Sequence, residues 1–126
     1  MGGIALDSKA FAYQSAEILA RHNALDVLVM DIHDTAGWAD YFVIATSTSA
    51  AHMRGLERHL EEFFANAEIS LLNKPEVTDD QSWLLLDGGN VIIHIMTNEA
   101  RAFYDLESLW FNAPRFSVTF NGKKES

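Results

Sequence analysis

Apolar residues recur at spacings of three and four in two stretches of the chain, which is the pattern of an amphipathic helix. Asp7 and Ser8 are suited to cap the first of these helices, which we expect to run to about His22. The hydroxyl-rich segment 46–49 supplies caps for a longer helix over residues 50–67. The buried stripe of this second helix is predicted at Met53, Leu56, Leu60, Phe63 and Phe64.

Short runs rich in apolar and β-branched residues predict strands at 27–32, 41–45, 83–87 and 90–96. Both faces of the run 41–45 are apolar, so we expect this strand at the centre of the sheet. A glycine pair separates the last two runs and favours a tight hairpin turn. Alternation then places Asn90, Ile92, His94 and Met96 on one face of the sheet, and Val91, Ile93 and Ile95 on the other.

A third helix is predicted over residues 99–109, with Thr97 or Asn98 as its cap. Its apolar positions again recur at spacings of three and four, so we expect one side of this helix to pack in the core. That stripe consists of Phe103, Leu106 and Trp110.

The C-terminal segment 115–120 is predicted to be an edge strand or an extended tail, and residues 121–126 are predicted to be frayed. The order of elements is therefore α-β-β-α-β-β-α. This order predicts a single α/β domain with a mixed sheet and packed helices, in which a right-handed helical crossover joins two antiparallel hairpins.

Composition sets limits on the partners of this domain. The chain has 126 residues, 48% of them hydrophobic, which is enough for one folded domain with its own core. Nine basic residues stand against 18 acidic ones, giving a net charge of −9. Free nucleic acid and anionic membranes are poor partners for such a surface, because their binding depends on Lys and Arg. A basic protein partner fits the charge better.

The absence of cysteine excludes a disulfide framework, thiolate zinc sites and a cysteine nucleophile. It also fits a reducing compartment, and we expect a cytoplasmic protein. Residues 1–6 lack the charged and apolar regions of a signal peptide, and no apolar stretch approaches the length of a membrane helix.

The residues that could support catalysis or metal binding are poorly spaced for either. The segment 46–49 follows a strand, where a phosphate-binding loop would lie, but it has no glycine and no following lysine. Candidate carboxylates occur singly, at Asp31, Asp40 and Asp87. His52 and His59 are two helical turns apart, too far for adjacent ligands of one metal. We therefore expect no enzyme, no metal site and no cofactor.

Aromatic residues near the last hairpin and the last helix indicate a protein-binding surface. Tyr104, Asp105 and Glu107 lie off the predicted core stripe, and aromatic side chains amid acidic groups are typical of binding hot spots. His94 is the only polar residue in the apolar run 91–96. It is either hydrogen-bonded to a neighbour on the sheet or presented to a partner.

Three segments resemble the ribosomal silencing factor (RsfS, or Iojap-like) family. Residues 39–46 read Ala-Asp-Tyr-Phe-Val-Ile-Ala-Thr and are similar to a strand of that family. Residues 83–95 match its hairpin pattern Trp-x-x-x-Asp-x-Gly-x-Val-x-x-His, and residues 101–110 match its signature Arg-x-Phe-Tyr-Asp-Leu-Glu-x-Leu-Trp. The resemblance implies a family domain over residues 5–113 and a C-terminal tail over 114–126.

The chain departs from the family pattern in two places. Ser47 stands where the family usually has glycine, and the loop 75–80 lacks the family's Glu-Gly. The resemblance implies a fold like that of the nucleotidyltransferase superfamily, but without its Gly-Ser and paired carboxylates.

The resemblance further implies a non-enzymatic translation repressor. Such a factor binds large-subunit ribosomal protein fourteen and sterically blocks subunit joining when nutrients are short. The implied partner-binding residues are Trp83, Asp87, His94, Arg101, Tyr104, Asp105 and Trp110. Two alternatives stay open: a nucleotide-handling enzyme that uses the segment 46–49 with Asp40 and Asp87, and a regulator whose exposed aromatics pair two copies into a homodimer.

Overall fold

A computed structural model describes residues 7–35 and 37–120 as one six-stranded mixed sheet with helices on both faces. The strand order is β3-β4-β5-β2-β1-β6. The helices are α1 (Ser8–Arg21), α2 (Ala50–Asn66), α3 (Asn98–Tyr104) and the single turn α4 (Leu106–Leu109). The strands are β1 (Leu25–Asp31), β2 (Tyr41–Thr46), β3 (Glu76–Val77), β4 (Trp83–Asp87), β5 (Val91–Met96) and β6 (Arg115–Ser117).

The topology is the predicted pair of antiparallel hairpins joined by a helical connection. Strands β1 and β2 form one hairpin, and β4 and β5 form the other. The two hairpins meet where β2 and β5 run parallel, with Tyr41 opposite Val91 and Thr46 opposite Met96. Strand β2 lies between β5 and β1 and contributes side chains to the core on each face of the sheet, as its apolar sequence predicts.

The sheet has two unequal cores. Helices α1 and α2 cover one face, where the odd-numbered residues of β5 are buried with apolar residues of both helices. The other face is covered by the short helices, by aromatic side chains and by loop residues such as Ala39 and Ala113. We call it the α3 face and define it by Phe42, Ile92, His94 and Met96. The alternation predicted for β5 is thus confirmed.

Side-chain caps start the three longer helices at the expected residues. The carboxylate of Asp7 accepts a hydrogen bond from the amide of Ala10 at 2.8 Å. The hydroxyls of Ser49 and Thr97 act in the same way at α2 and α3. Each such cap is worth about 1 kcal/mol.

The predicted helix 99–109 is wrong in one respect, because it breaks at Asp105. Asp105 has φ +48°, in the left-handed region, which ends α3 and begins α4 in a new direction. Helical spacing therefore does not carry across the break. Leu106 is buried and Trp110 is half-buried as expected, but Phe103 is 79% exposed and does not belong to the core stripe.

Two short edge strands complete the sheet. The loop 75–80 contains β3, which pairs with β4. Residues 115–117 of the predicted segment 115–120 form β6 at the opposite edge, paired antiparallel with β1, so an edge strand is confirmed for this half of the segment. The predicted fraying of 121–126 concerns residues outside the described part of the chain. Within residues 7–35 and 37–120, the helices are too short or too polar to cross a bilayer.

Candidate protein-binding surface

Trp83 begins β4 and lies over β5 on the α3 face. Its indole N–H donates a hydrogen bond to Nδ1 of His94 at 3.1 Å, and its ring centroid is 4.7 Å from that of Tyr104. Trp83 and His94 lie on adjacent strands, since β4 pairs with β5 and places Leu85 opposite His94. This register brings residues that are far apart in the sequence into one aromatic group.

His94 is the buried centre of that group. Its side chain is held between Trp83 and the ring of Phe42, whose centroid lies 4.7 Å away in an edge-to-face arrangement. Burial lowers the pKa of His94 to about 4, so the imidazole is neutral at physiological pH. Its Nε2 is buried and has no hydrogen-bond partner among the described residues. Of the two interpretations of His94, hydrogen bonding within the sheet describes the structure.

Tyr104 and Phe103 form the exposed end of the aromatic group. They occupy the last turn of α3, with their rings perpendicular at a centroid distance of 5.0 Å. Tyr104 is 45% exposed, so it is supported from one side by Trp83 and open to solvent on the other. An apolar groove of about 250 Å³ adjoins the same tryptophan and is lined mainly by Val77, Thr78 and Leu85.

Asp105 adds negative charge next to these rings. It is exposed, and its carboxylate accepts a 2.6 Å hydrogen bond from the hydroxyl of Ser108. Asp87 lies at the other end of β4, where it accepts hydrogen bonds from the amide of Gly89 and the side chain of Asn73. The two carboxylates are therefore not part of one cluster.

Arg101 points inward and ties three elements together. Its guanidinium donates to the carbonyl of Asp26 at 2.6 Å, to Oγ1 of Thr46 at 3.0 Å and to the carboxylate of Glu107 at 3.1 Å. Asp26 has a positive φ and lies within an irregularity of β1, so its carbonyl needs a donor from elsewhere. The contacts of Arg101 are those of a structural residue.

Trp110 also packs mostly within the molecule, but one of its ring contacts is with Trp38, an exposed residue that the sequence analysis did not single out. Its ring meets Phe42 at 5.9 Å and Trp38 at 6.3 Å. Trp38 lies in the loop between β1 and β2 and is 59% exposed. The signal in the sequence that could have identified Trp38 is its position in a loop, directly after Gly37, where a large aromatic side chain is unusual.

Ring contacts therefore join the α3 face into one continuous series. The series starts at the exposed Trp38, passes through a buried middle and ends at the exposed rings of α3. We call it the aromatic belt and define it by Trp38, Trp110, Phe42, His94, Trp83, Tyr104 and Phe103. A surface with aromatic side chains exposed at both ends is suited to bind a protein.

The residues of the enzyme alternative are not brought together. Asp40 and Asp87 lie at the end of the sheet where β2 and β5 begin, whereas the segment 46–49 lies where β2 ends. At 3.3 Å per residue the two groups are about 20 Å apart. Thr46 is moreover engaged by Arg101, and Ser49 caps α2. One small substrate cannot reach both groups.

The described histidines contact one another and nearby groups, but they are not arranged as the ligands of a metal ion. His22 stacks on His59 at a centroid distance of 3.5 Å, and Nε2 of His52 lies 2.9 Å from the carbonyl of His22. His33 is paired with Asp31 and with Asp34 in an exposed loop. No cluster of three or more His, Asp or Glu side chains suited to a metal occurs within the described ranges.

Comparison with known proteins gives a consistent family. The family model described as "Ribosomal silencing factor during starvation" matches residues 5–126. The chain is 38% identical to the ribosomal silencing factor RsfS of Treponema pallidum over 96 residues, covering 75% of this chain and 85% of that protein. It is 31% identical to RsfS of Bacillus subtilis, covering 77% and 81% of the two chains.

Two further matches are a mitochondrial protein, of which this chain covers less than half, and a solved structure. The chain is 33% identical to the mouse protein named mitochondrial assembly of ribosomal large subunit protein 1, covering 74% of this chain and 42% of that one. Among solved structures, a protein of Chromobacterium violaceum has a TM-score of 0.78 at 22% identity, covering 84% of this chain and 88% of that one. At 22% identity, the similarity to the Chromobacterium violaceum protein shows a shared fold only.

Proposed function

Because the chain belongs to the ribosomal silencing factor family, we propose that it binds the large ribosomal subunit through large-subunit ribosomal protein fourteen and blocks subunit joining. The repression is proposed to operate under nutrient limitation, in the cytoplasm and without catalysis. The factor acts by occupying a surface that the small subunit needs.

The observation that carries this proposal is the exposed end of the aromatic belt. Tyr104 and Phe103 present ring surface to solvent on a rigid support, and Asp105 adds a negative charge beside them. The net charge of −9 complements a basic ribosomal protein. A stable complex needs roughly 800 Å² buried on each partner, which such a face can offer.

The seven proposed partner-binding residues have different surroundings, and this suggests different roles. Tyr104 and Asp105 are exposed and are proposed as direct contacts, with the half-buried Trp83 at their side. His94 and Arg101 make their contacts inside the molecule, so their contribution to binding is proposed to be indirect. The remaining two, Asp87 and Trp110, are half-buried and are proposed to lie at the margin of the surface.

The mechanism needs only overlap between the bound factor and a contact of the small subunit. A 14.1 kDa domain docked through its α3 face leaves α1 and α2 on its outer side. Those two helices form a rigid layer on the sheet, and we propose that this layer obstructs the approaching subunit.

Two variants test the direct contacts. Tyr104→Ala removes an exposed ring, and Asp105→Asn removes a charge while keeping a residue that tolerates the left-handed backbone. Each is expected to weaken binding to purified large subunits by tenfold or more, with a melting temperature within a few degrees of the parent protein. A loss of that size corresponds to about 1.4 kcal/mol, within the range of single hot-spot residues.

Matched controls lie on the other side of the molecule. Phe116→Ala removes a half-exposed ring that contacts Tyr13 on the α1 side, and Glu61→Lys changes charge on the exposed side of α2. Both are expected to bind as the parent protein does. If Tyr104→Ala unfolds the protein, Tyr104 is structural; if the controls weaken binding equally, the α3 face is not the docking surface.

A further inference from the structure

We propose that His94 is a positioning residue for the docking surface, holding the indole of Trp83 in the orientation on which Tyr104 rests. This inference deepens the proposed function and depends on it for the binding readout. It rests on hydrogen-bond geometry, on ring contacts and on one buried atom without a partner.

The hydrogen bond fixes the state of the imidazole. An indole N–H can only donate, so Nδ1 of His94 must accept at 3.1 Å. In the neutral ring the hydrogen then lies on Nε2. That N–H is buried without a partner among the residues the structure describes.

An unpaired buried donor costs stability, and the fold does not require one at this position. The neighbours of His94 on the α3 face are apolar, since Ile92 and Met96 flank it along β5 and Phe42 lies beside it. A leucine would fill such a site without the unsatisfied imidazole N–H, but it would leave the indole N–H of Trp83 without its acceptor. The benefit that the imidazole brings is the acceptor it offers to Trp83.

Ring contacts carry this restraint from the buried histidine to the surface. Phe42 holds His94 from one side at 4.7 Å, and Trp83 is tilted against its other side at 5.8 Å. Tyr104 in turn contacts Trp83 at 4.7 Å. An aromatic group that is already oriented loses less rotamer freedom on binding, so the partner meets a preorganised surface.

Two substitutions at position 94 separate positioning from stability. In His94→Asn, the side-chain oxygen can occupy the place of Nδ1 and accept from Trp83. In His94→Leu, a side chain of similar size fills the strand but offers no acceptor. We expect His94→Leu to melt within a few degrees of the parent protein, because it removes one unpaired N–H and leaves that of Trp83 unpaired instead. We expect it to bind large subunits three- to tenfold more weakly. His94→Asn is expected to be less stable and to bind within about twofold of the parent.

An independent readout follows the indole itself. In a ¹⁵N-labelled protein the Trp83 indole N–H resonance, assigned by its loss in Trp83→Phe, is expected to be protected from exchange in the parent and in His94→Asn. In His94→Leu it is expected to shift and to exchange faster.

The two readouts assign a failure to its source. If His94→Leu keeps both the protected resonance and full binding, His94 does not position Trp83. If the parent protein does not bind large subunits at all, the proposed function fails, and the indole resonance still decides whether His94 fixes the ring. If His94→Leu loses its protection but binds normally, the orientation of Trp83 does not matter for docking and the inference is overturned.

Discussion

Acid should destabilise this protein in a way that depends on one buried histidine. Burial lowers the pKa of His94 from its ordinary value near 6.5 to about 4 in the folded state. Below pH 6.5 the unfolded chain takes up a proton that the folded chain refuses, so the unfolding free energy falls as pH falls. The slope from this group is about 1.4 kcal/mol per pH unit, and it ends near pH 4.

Between pH 7 and pH 5 this amounts to about 2 kcal/mol, and the full loss by pH 4 is about 3 kcal/mol. Domains of ordinary size are stable by about 5–15 kcal/mol, so the effect is a large part of the total. Burial is the cause of the lowered pKa of His94, and among the described residues no ion pair of this histidine complicates its titration.

Urea unfolding at pH 7, 6 and 5, followed by circular dichroism, measures the effect in the parent protein and in His94→Leu. Other groups that titrate in this range, including His22, whose pKa is lowered mainly by burial, are present in both proteins and cancel in the difference. We expect the parent to lose about 2 kcal/mol more than the variant between pH 7 and pH 5. Parallel losses would refute the claim that His94 is buried and neutral.

Three further predictions follow from the described contacts. Arg101→Met should lower the unfolding free energy by about 2–3 kcal/mol, because it removes three internal hydrogen bonds; unchanged stability with lost binding would instead make Arg101 a partner contact. Trp38→Ala should weaken binding to large subunits several-fold at a nearly unchanged melting temperature, because its ring is 59% exposed; a binding curve identical to the parent's would confine the docking surface to the Tyr104 end. Raising the salt concentration from 50 to 500 mM should weaken binding of the parent protein more than binding of Asp105→Asn, because salt screens a charge that the variant lacks. An equal salt dependence of the two proteins would show that Asp105 is not part of the interface.

The longer strands and helix α2 could be predicted from the sequence because each is long enough to show a regular period of apolar residues. Apolar residues on both faces of 41–45 placed β2 at the centre, and alternation along 90–96 assigned His94 to the correct face. Both results depend on the strict two-residue period of a strand, which fixes the face once one residue is known.

The features that the sequence missed depend on tertiary contacts or on single residues. The break at Asp105 is one left-handed residue inside a sequence that keeps a helical period, so Phe103 was assigned to the core. Strand β3 has two residues, too few for any period, and exists through its pairing with β4.

The candidate site was predicted as a set of motif residues, but not as an arrangement. Its members come from β4, β5 and the short helices, and the register of the sheet decides which of them meet. The family signature implied a contact role for Arg101, whereas its hydrogen bonds to Asp26 and Thr46 depend on the irregularity of β1. Trp38 joins the aromatic belt through its ring contacts with Trp110 and Phe42, which only the fold brings about.

The most direct test of the account is sedimentation of the tagged protein with purified large and small subunits, scoring the position of the protein and the fraction of joined ribosomes. We predict that the parent protein migrates with large subunits and lowers the fraction of joined ribosomes, and that Tyr104→Ala needs at least tenfold more protein for either effect. Migration with small subunits, or an unchanged fraction of joined ribosomes at saturating protein, would contradict the account.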